Sequence, residues 1–134
     1  MSGHPFIPDR QTVHDVLGVR TLELSGTRVV LEIDVTSRVH QPFGLLHGGV
    51  SALLAEGAAS LGATISVAPG SVCVGTELNI SHLRAVTEGT LRAVATPFRQ
   101  GRTVQVWGIE LRDGADRLIS VARCSLQVVA APRE

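Results

Sequence analysis

Between Arg28 and Thr36 apolar and polar residues alternate. Val29, Leu31, Ile33 and Val35 fall on one side, and Glu32 and Asp34 on the other. Period two predicts a half-buried strand, and Ser25-Gly26 before it reads as the turn of a hairpin with a strand near Val19–Leu24. Pro42 and Gly44 break the chain, and then the pattern loses its polar side. From Gly48 to about Ser66 it predicts one helix, apolar nearly all round and therefore buried on most sides. Val50, Leu54, Leu61 and Ile65 supply bulk, while Ala52, Ala59 and Ala63 form a small-residue face that another element can approach closely. Four strand-like stretches follow, Val72–Arg84, Thr90–Arg99, Thr103–Arg112 and Leu118–Val129, with turn residues at Glu88-Gly89, Gln100-Gly101 and Asp113-Gly114. Taken in order they read as a meander. Residues 1–10 read as a loose arm and Asp9–Val16 as a short helix, so the expected division is an arm with a short helix, 1–15, and one domain, 16–130. The predicted class is α+β, a long central helix with about six mainly antiparallel strands around it.

Composition narrows the functional classes. With 44% apolar and 18% charged residues in 134, the chain is expected to fold as one domain with a real core. Twelve acidic residues balance twelve basic ones, every basic one is arginine, and there are four aromatic residues. That balance argues against a nucleic-acid surface, which needs net positive charge and stacking rings. The opening MSGHPFIPDR has no apolar stretch of the kind that directs secretion. The run Leu45–Val67 is long enough for a membrane span, but it holds Glu56 and four glycines. A charge at the centre of a lone span costs about 2.5–3.5 kcal/mol, so a buried helix is the expected reading. Cys73 and Cys124 lack metal-ligand spacing and read as reduced core residues of a cytoplasmic protein.

The chemistry concentrates in HQPFGLLHGGVSALLAEGAAS, His40–Ser60. Gly48 and Gly49 fall at the predicted helix N-terminus, where backbone N–H groups lack partners and the dipole is positive. Either they ease the turn, or they open those N–H groups to a carbonyl oxygen that becomes an oxyanion. Glu56 is a lone carboxylate in the apolar run, and burial there would favour its neutral form. It lies eight residues beyond Gly48, about 12 Å along the helix, so one carbonyl cannot touch both. Two antiparallel helices in a two-fold dimer would bring them together. Ser60 sits four residues after Glu56 on the same face, able to hold a water or to bond back to the helix. Gln41 and His47 bracket the entry loop as donors to a carbonyl, although a loop histidine is often a plain surface residue. No Walker loop, G-x-G-x-x-G or G-x-S-x-G is present, and the five histidines show no metal spacing.

HQPFGLLHGGVSALLAE, VGTELNISHLRAV and GRTVQVW, in that order, resemble the hotdog-fold thioesterases. The similarity runs from about Val16 to Val129 and is nearest to the PaaI-like branch that holds the enterobactin-synthesis proofreading thioesterase and 1,4-dihydroxy-2-naphthoyl-CoA hydrolase. The resemblance implies a helix wrapped by an antiparallel sheet, in dimers with shared sites that often pair into tetramers. It also implies hydrolysis of an acyl-CoA or acyl-carrier-protein thioester, of aromatic type, with no metal and no organic cofactor. By motif, Glu56 matches the nucleophile or general base and Gly48 the N–H that polarises the carbonyl. Gln41 and His47 match assisting side chains, and Ser60 the hydroxyl near the attacking water. Gly75, then His82, Leu83, Arg84 and Ala85, then Arg99, Gln100, Gly101, Arg102, Thr103 and Val104 match positions along the pantetheine arm and nucleotide. Ala85 stands where relatives carry proline. A non-catalytic module binding acyl thioesters is the alternative. A hotdog dehydratase would need an aspartate–histidine pair that the loop lacks.

Overall fold

The computed structural model describes residues 9–132. Most of the expected N-terminal arm, residues 1–8, lies outside the described residues. A four-residue helix α1 (Val13–Val16) leads into the hairpin β1 (Arg20–Leu24) and β2 (Val29–Asp34). A 3₁₀ turn at Ser37–Val39 and a loop then reach the long helix α2 (Gly48–Ser66). Strands β3 (Ser71–His82), β4 (Thr90–Gln100), β5 (Val104–Asp113) and β6 (Leu118–Ala130) complete one six-stranded sheet. Every pairing in it is antiparallel. This is the expected hotdog arrangement, one helix packed across a wrapped sheet.

Alternation does what it predicts in β2, where Val29, Leu31 and Ile33 are each 0% exposed. On the outer side Glu32 is flanked in register by Arg20 and Arg92 and accepts hydrogen bonds from both, at 2.8 and 3.2 Å. The Arg20 hydrogen bond in particular holds its carboxyl below the ordinary value.

Two expectations are corrected. The last four strands are not a meander, because the sheet order is β1-β2-β4-β5-β6-β3. Only β4, β5 and β6 follow one another. Helix α2 crosses the sheet and delivers β3 beyond β6, at the far edge, and the segment after His82 carries the chain back to β2. Alternation identifies a strand but does not name its neighbours. Nor is α2 buried on most sides. Its buried positions are Ser51, Leu54, Ala55, Ala58, Ala59, Gly62, Ala63 and Thr64, a single stripe against the sheet. Length and composition alone would also let this helix span a membrane, yet the stripe is covered by β2 to β6.

Small residues dominate that stripe because the sheet brings large ones. Trp107 of β5 is fully buried with its ring over Gly62, where an added Cβ would overlap the ring and stand 2.9 Å from a Val29 methyl. Trp107 Nε1 donates to Gln105 Oε1 at 2.8 Å, Gln105 Nε2 to Ser66 Oγ at 2.8 Å, and Ser66 Oγ to the Ala63 carbonyl at 2.7 Å. The chain of bonds ties the end of α2 to β5. Gly62→Ala therefore should destabilise the protein by about 1–3 kcal/mol through overpacking, in urea melts. Helix propensity alone would make the same change stabilising by about 1 kcal/mol, so the sign decides.

Candidate active site

The N-terminus of α2 is capped by His47, whose Nδ1 accepts from Gly49 N–H at 2.8 Å. Val50 and Ser51 N–H both point to the His47 carbonyl. Among the described residues Gly48 N–H has no acceptor, alone in this first turn. His47 thus has a local structural role, and its Nδ1 acceptance leaves the ring proton on Nε2.

Gly48 faces a cavity of about 370 Å³ that Gln41 and His82 also line. Gln41 Oε1 accepts from Phe43 N–H at 2.5 Å and Leu45 N–H at 3.3 Å. The loop thereby fixes the amide, and its NH₂ has no partner among the described residues. The His82 ring packs on Gly48, where a Cβ would meet Nε2 at 2.7 Å. Its Nδ1 is 2.9 Å from the Oγ of fully buried Ser120. Serine 120 was beyond sequence reasoning, since nothing in LISVARCS distinguishes it from any inward strand residue. Leu83, Arg84 and Ala85 continue the wall of the same cavity.

Glu56 opens elsewhere. It shares a cavity of about 420 Å³ with Ser60, its neighbour one turn on. The expected buried carboxylate is a correction, because in the protomer Glu56 is exposed. It lies off the stripe that meets the sheet, and β3 beside it is the last strand. Gly75, at a bulge in β3, makes room for it: a Cβ there would stand 2.8 Å from Glu56 Oε2. Behind it, Cys124 is buried and free, like Cys73. Burial, and then the Glu56 charge, push the Cys124 thiol up to about 11. That shift works against a thiolate nucleophile at this site.

Apart from Gly75, which lies beside Glu56, the residues matched to the CoA arm fall into two groups. His82 to Ala85 lie at the Gly48 end. The turn Arg99–Val104 lies at the other, where Gln100, Gly101 and Arg102 line a cavity of about 280 Å³ with Ser66 and Val67. Val104 and Val74 both register with Gln127, so the two groups are separated by the run of β3 from Val74 to His82, roughly 27 Å. Within one protomer they do not form one surface. Among the described residues no cluster of three or more histidine, cysteine or acidic side chains is arranged to hold a metal ion.

Comparison with known proteins gives this geometry its context. Residues 43–120 match the thioesterase superfamily model. The 1,4-dihydroxy-2-naphthoyl-CoA hydrolase of Listeria monocytogenes is 38% identical over 116 residues, 87% of this chain and 94% of that one. The proofreading thioesterase of Cronobacter turicensis is 39% identical over 118 residues, 88% of this chain and 86% of that one. A thioesterase structure from Haemophilus influenzae superposes with a TM-score of 0.86 at 36% identity, over 92% of this chain and 86% of that chain. The chain belongs to the thioesterase superfamily, and it is a hotdog-fold thioester hydrolase.

Proposed function

We propose that the protein hydrolyses an aromatic acyl-CoA thioester in a site shared by two chains. Glu56 acts as general base on a water held near Ser60, the role that its solvent-open position favours over direct attack. The hydroxide formed adds to the thioester carbonyl carbon. The oxyanion is held by the partner's Gly48 N–H, assisted by the partner's Gln41 amide. Collapse then breaks the C–S bond and releases the acid and, after protonation, the thiol. Only side chains, backbone and water take part.

One observation carries this reading. The free Gly48 N–H and the Glu56 carboxylate belong to one helix yet open into different cavities. Each cavity holds half of a catalytic set. A two-fold axis across the exposed edge of β3 exchanges its ends. It thus sets Glu56 and Gly75 of one chain opposite the partner's Gly48 and His82. The same axis brings the partner's Arg99–Val104 turn toward Arg84, so that one CoA can meet both groups. An unpaired strand of twelve residues at a sheet edge is a ready template for such pairing. A further pairing into tetramers, a carrier-protein thioester as substrate, and a cytoplasmic location in keeping with two free thiols belong to the same proposal.

Glu56→Gln should keep the fold and lose roughly 10²–10⁴-fold in turnover, the worth of a general base. Thiol release from benzoyl-CoA measures this, and a folded variant within a few-fold of wild type refutes the role.

Arg84→Ala should raise KM for CoA thioesters more than it lowers kcat, because a phosphate contact holds ground and transition states alike. An N-acetylcysteamine thioester, which lacks the nucleotide, should be unaffected. Equal losses on both would remove Arg84 from the nucleotide site.

Co-expressed Gln41→Ala and Glu56→Gln chains should recover activity beyond that of either homodimer. Random pairing makes about half the dimers mixed, each with one intact site, so about a quarter of wild-type activity is expected. Mixed dimers isolated by two tags and found inactive would place Gln41 and Glu56 in one chain's site.

A further inference from the structure

The groove along α2 from Glu56 toward the N-terminal segment consists of two chambers. The inner one, about 420 Å³, lies against Glu56, Ala52, Leu53 and Leu78. The outer one, about 600 Å³, lies between Leu61 of α2 and the chain at Asp9–Thr12 and Val19. Val13, His14, Gly57 and Ser60 wall both, so the chambers meet there.

At that junction His14 of α1 stands on Gly57. A Cβ at position 57 would be 2.5 Å from the ring's Nε2 and 2.6 Å from its Cε1, so the imidazole occupies the space a side chain would take. The ring is held from its own segment. Thr12 and Asp15 form a capping box around it, with Thr12 N–H donating to Asp15 Oδ2 at 2.8 Å and His14 N–H to Thr12 Oγ1 at 3.2 Å. Val19 N–H donates to the His14 carbonyl at 2.9 Å, and the Arg38 guanidinium donates to the Val16 carbonyl. The ring nitrogens have no hydrogen-bond partner among the described residues, and burial lowers the imidazole pKa from its ordinary value. The ring is placed as bulk.

We propose that His14 is a specificity-determining gate that sets the length of the acyl group. This rests on the assignment of Glu56 to the reacting carbonyl. Gly57 and Ser60 lie within about one helical turn of Glu56, roughly 6 Å, so an acyl group running along α2 meets the imidazole after about the length of one aromatic ring. Removing the ring joins the inner chamber to the outer one. Longer acyl groups then have room, and short ones lose nothing essential.

The test compares kcat/KM on two length series, benzoyl-CoA with biphenyl-4-carbonyl-CoA and butanoyl-CoA with decanoyl-CoA, for the full-length wild type, His14→Ala and His14→Phe. The ratio is read in whichever series the enzyme hydrolyses. In His14→Ala the long-to-short ratio should rise at least about tenfold, with the short substrate within a few-fold of wild type. His14→Phe, which keeps the bulk, should return the ratio toward wild type. A ratio unmoved by His14→Ala, a wild type that already accepts long and short acyl groups equally, or a His14→Phe that behaves like His14→Ala would each overturn the gate. Because no residue of α1 is fully buried and His14 itself is only partly covered, the variants should melt close to wild type, and the phenylalanine variant serves as a second reading of the same ratio. Glu56→Gln in the same assay keeps the two ideas apart. If it is inactive while the His14→Ala ratio is flat, only the gate fails. If it is active, the assignment of Glu56 fails.

Discussion

The close contact between the small-residue stripe of α2 and the sheet is the constraint from which the rest follows. Ala55, Ala58, Ala59, Gly62 and Ala63 are buried, and Trp107 fills the space that Gly62 leaves. A helix seated so deeply has only its ends and one flank left for chemistry. Its N-terminus offers Gly48 N–H, and the flank beside the last strand offers Glu56. Both candidate positions are what the packing leaves over.

Separation of the two positions has a physical cause as well. A rigid helix cannot bend eight residues into one site, so the two positions open into separate cavities. The loop and the strands preorganise what each half holds. Gln41 is fixed by two backbone N–H groups, His82 is oriented by Ser120, and Gly75 leaves the carboxylate its room. Preorganised donors in such sites need no rearrangement as charge develops. In the proposed two-fold dimer, a second copy of the chain completes the set without any new element.

Much of this was legible in the residues. The bounds of α2 were read as they stand, from Gly48 to Ser66, because a loop broken by Pro42 and Gly44 and an uninterrupted apolar run are local signals. The six strands were legible for the same reason, as alternation and turn residues act over a few positions. The relation of Glu56 to Ser60 and its distance from Gly48 followed from helix geometry alone.

What the sequence by itself determined was therefore the long helix, the six strands and the family, and it named the candidate residues for chemistry. Tertiary structure alone decided that β3 lies beyond β6, because pairing depends on where α2 delivers the chain and not on the strand's own pattern. It decided that Glu56 is open to solvent in the protomer, since burial of a helix position depends on which flank the sheet covers. It put His82 over Gly48 and His14 over Gly57, contacts between residues 34 and 43 positions apart. It also divided the arginines of one expected CoA surface between opposite ends of the sheet. Local periodicity encodes each segment's shape, whereas these contacts arise only when distant segments meet.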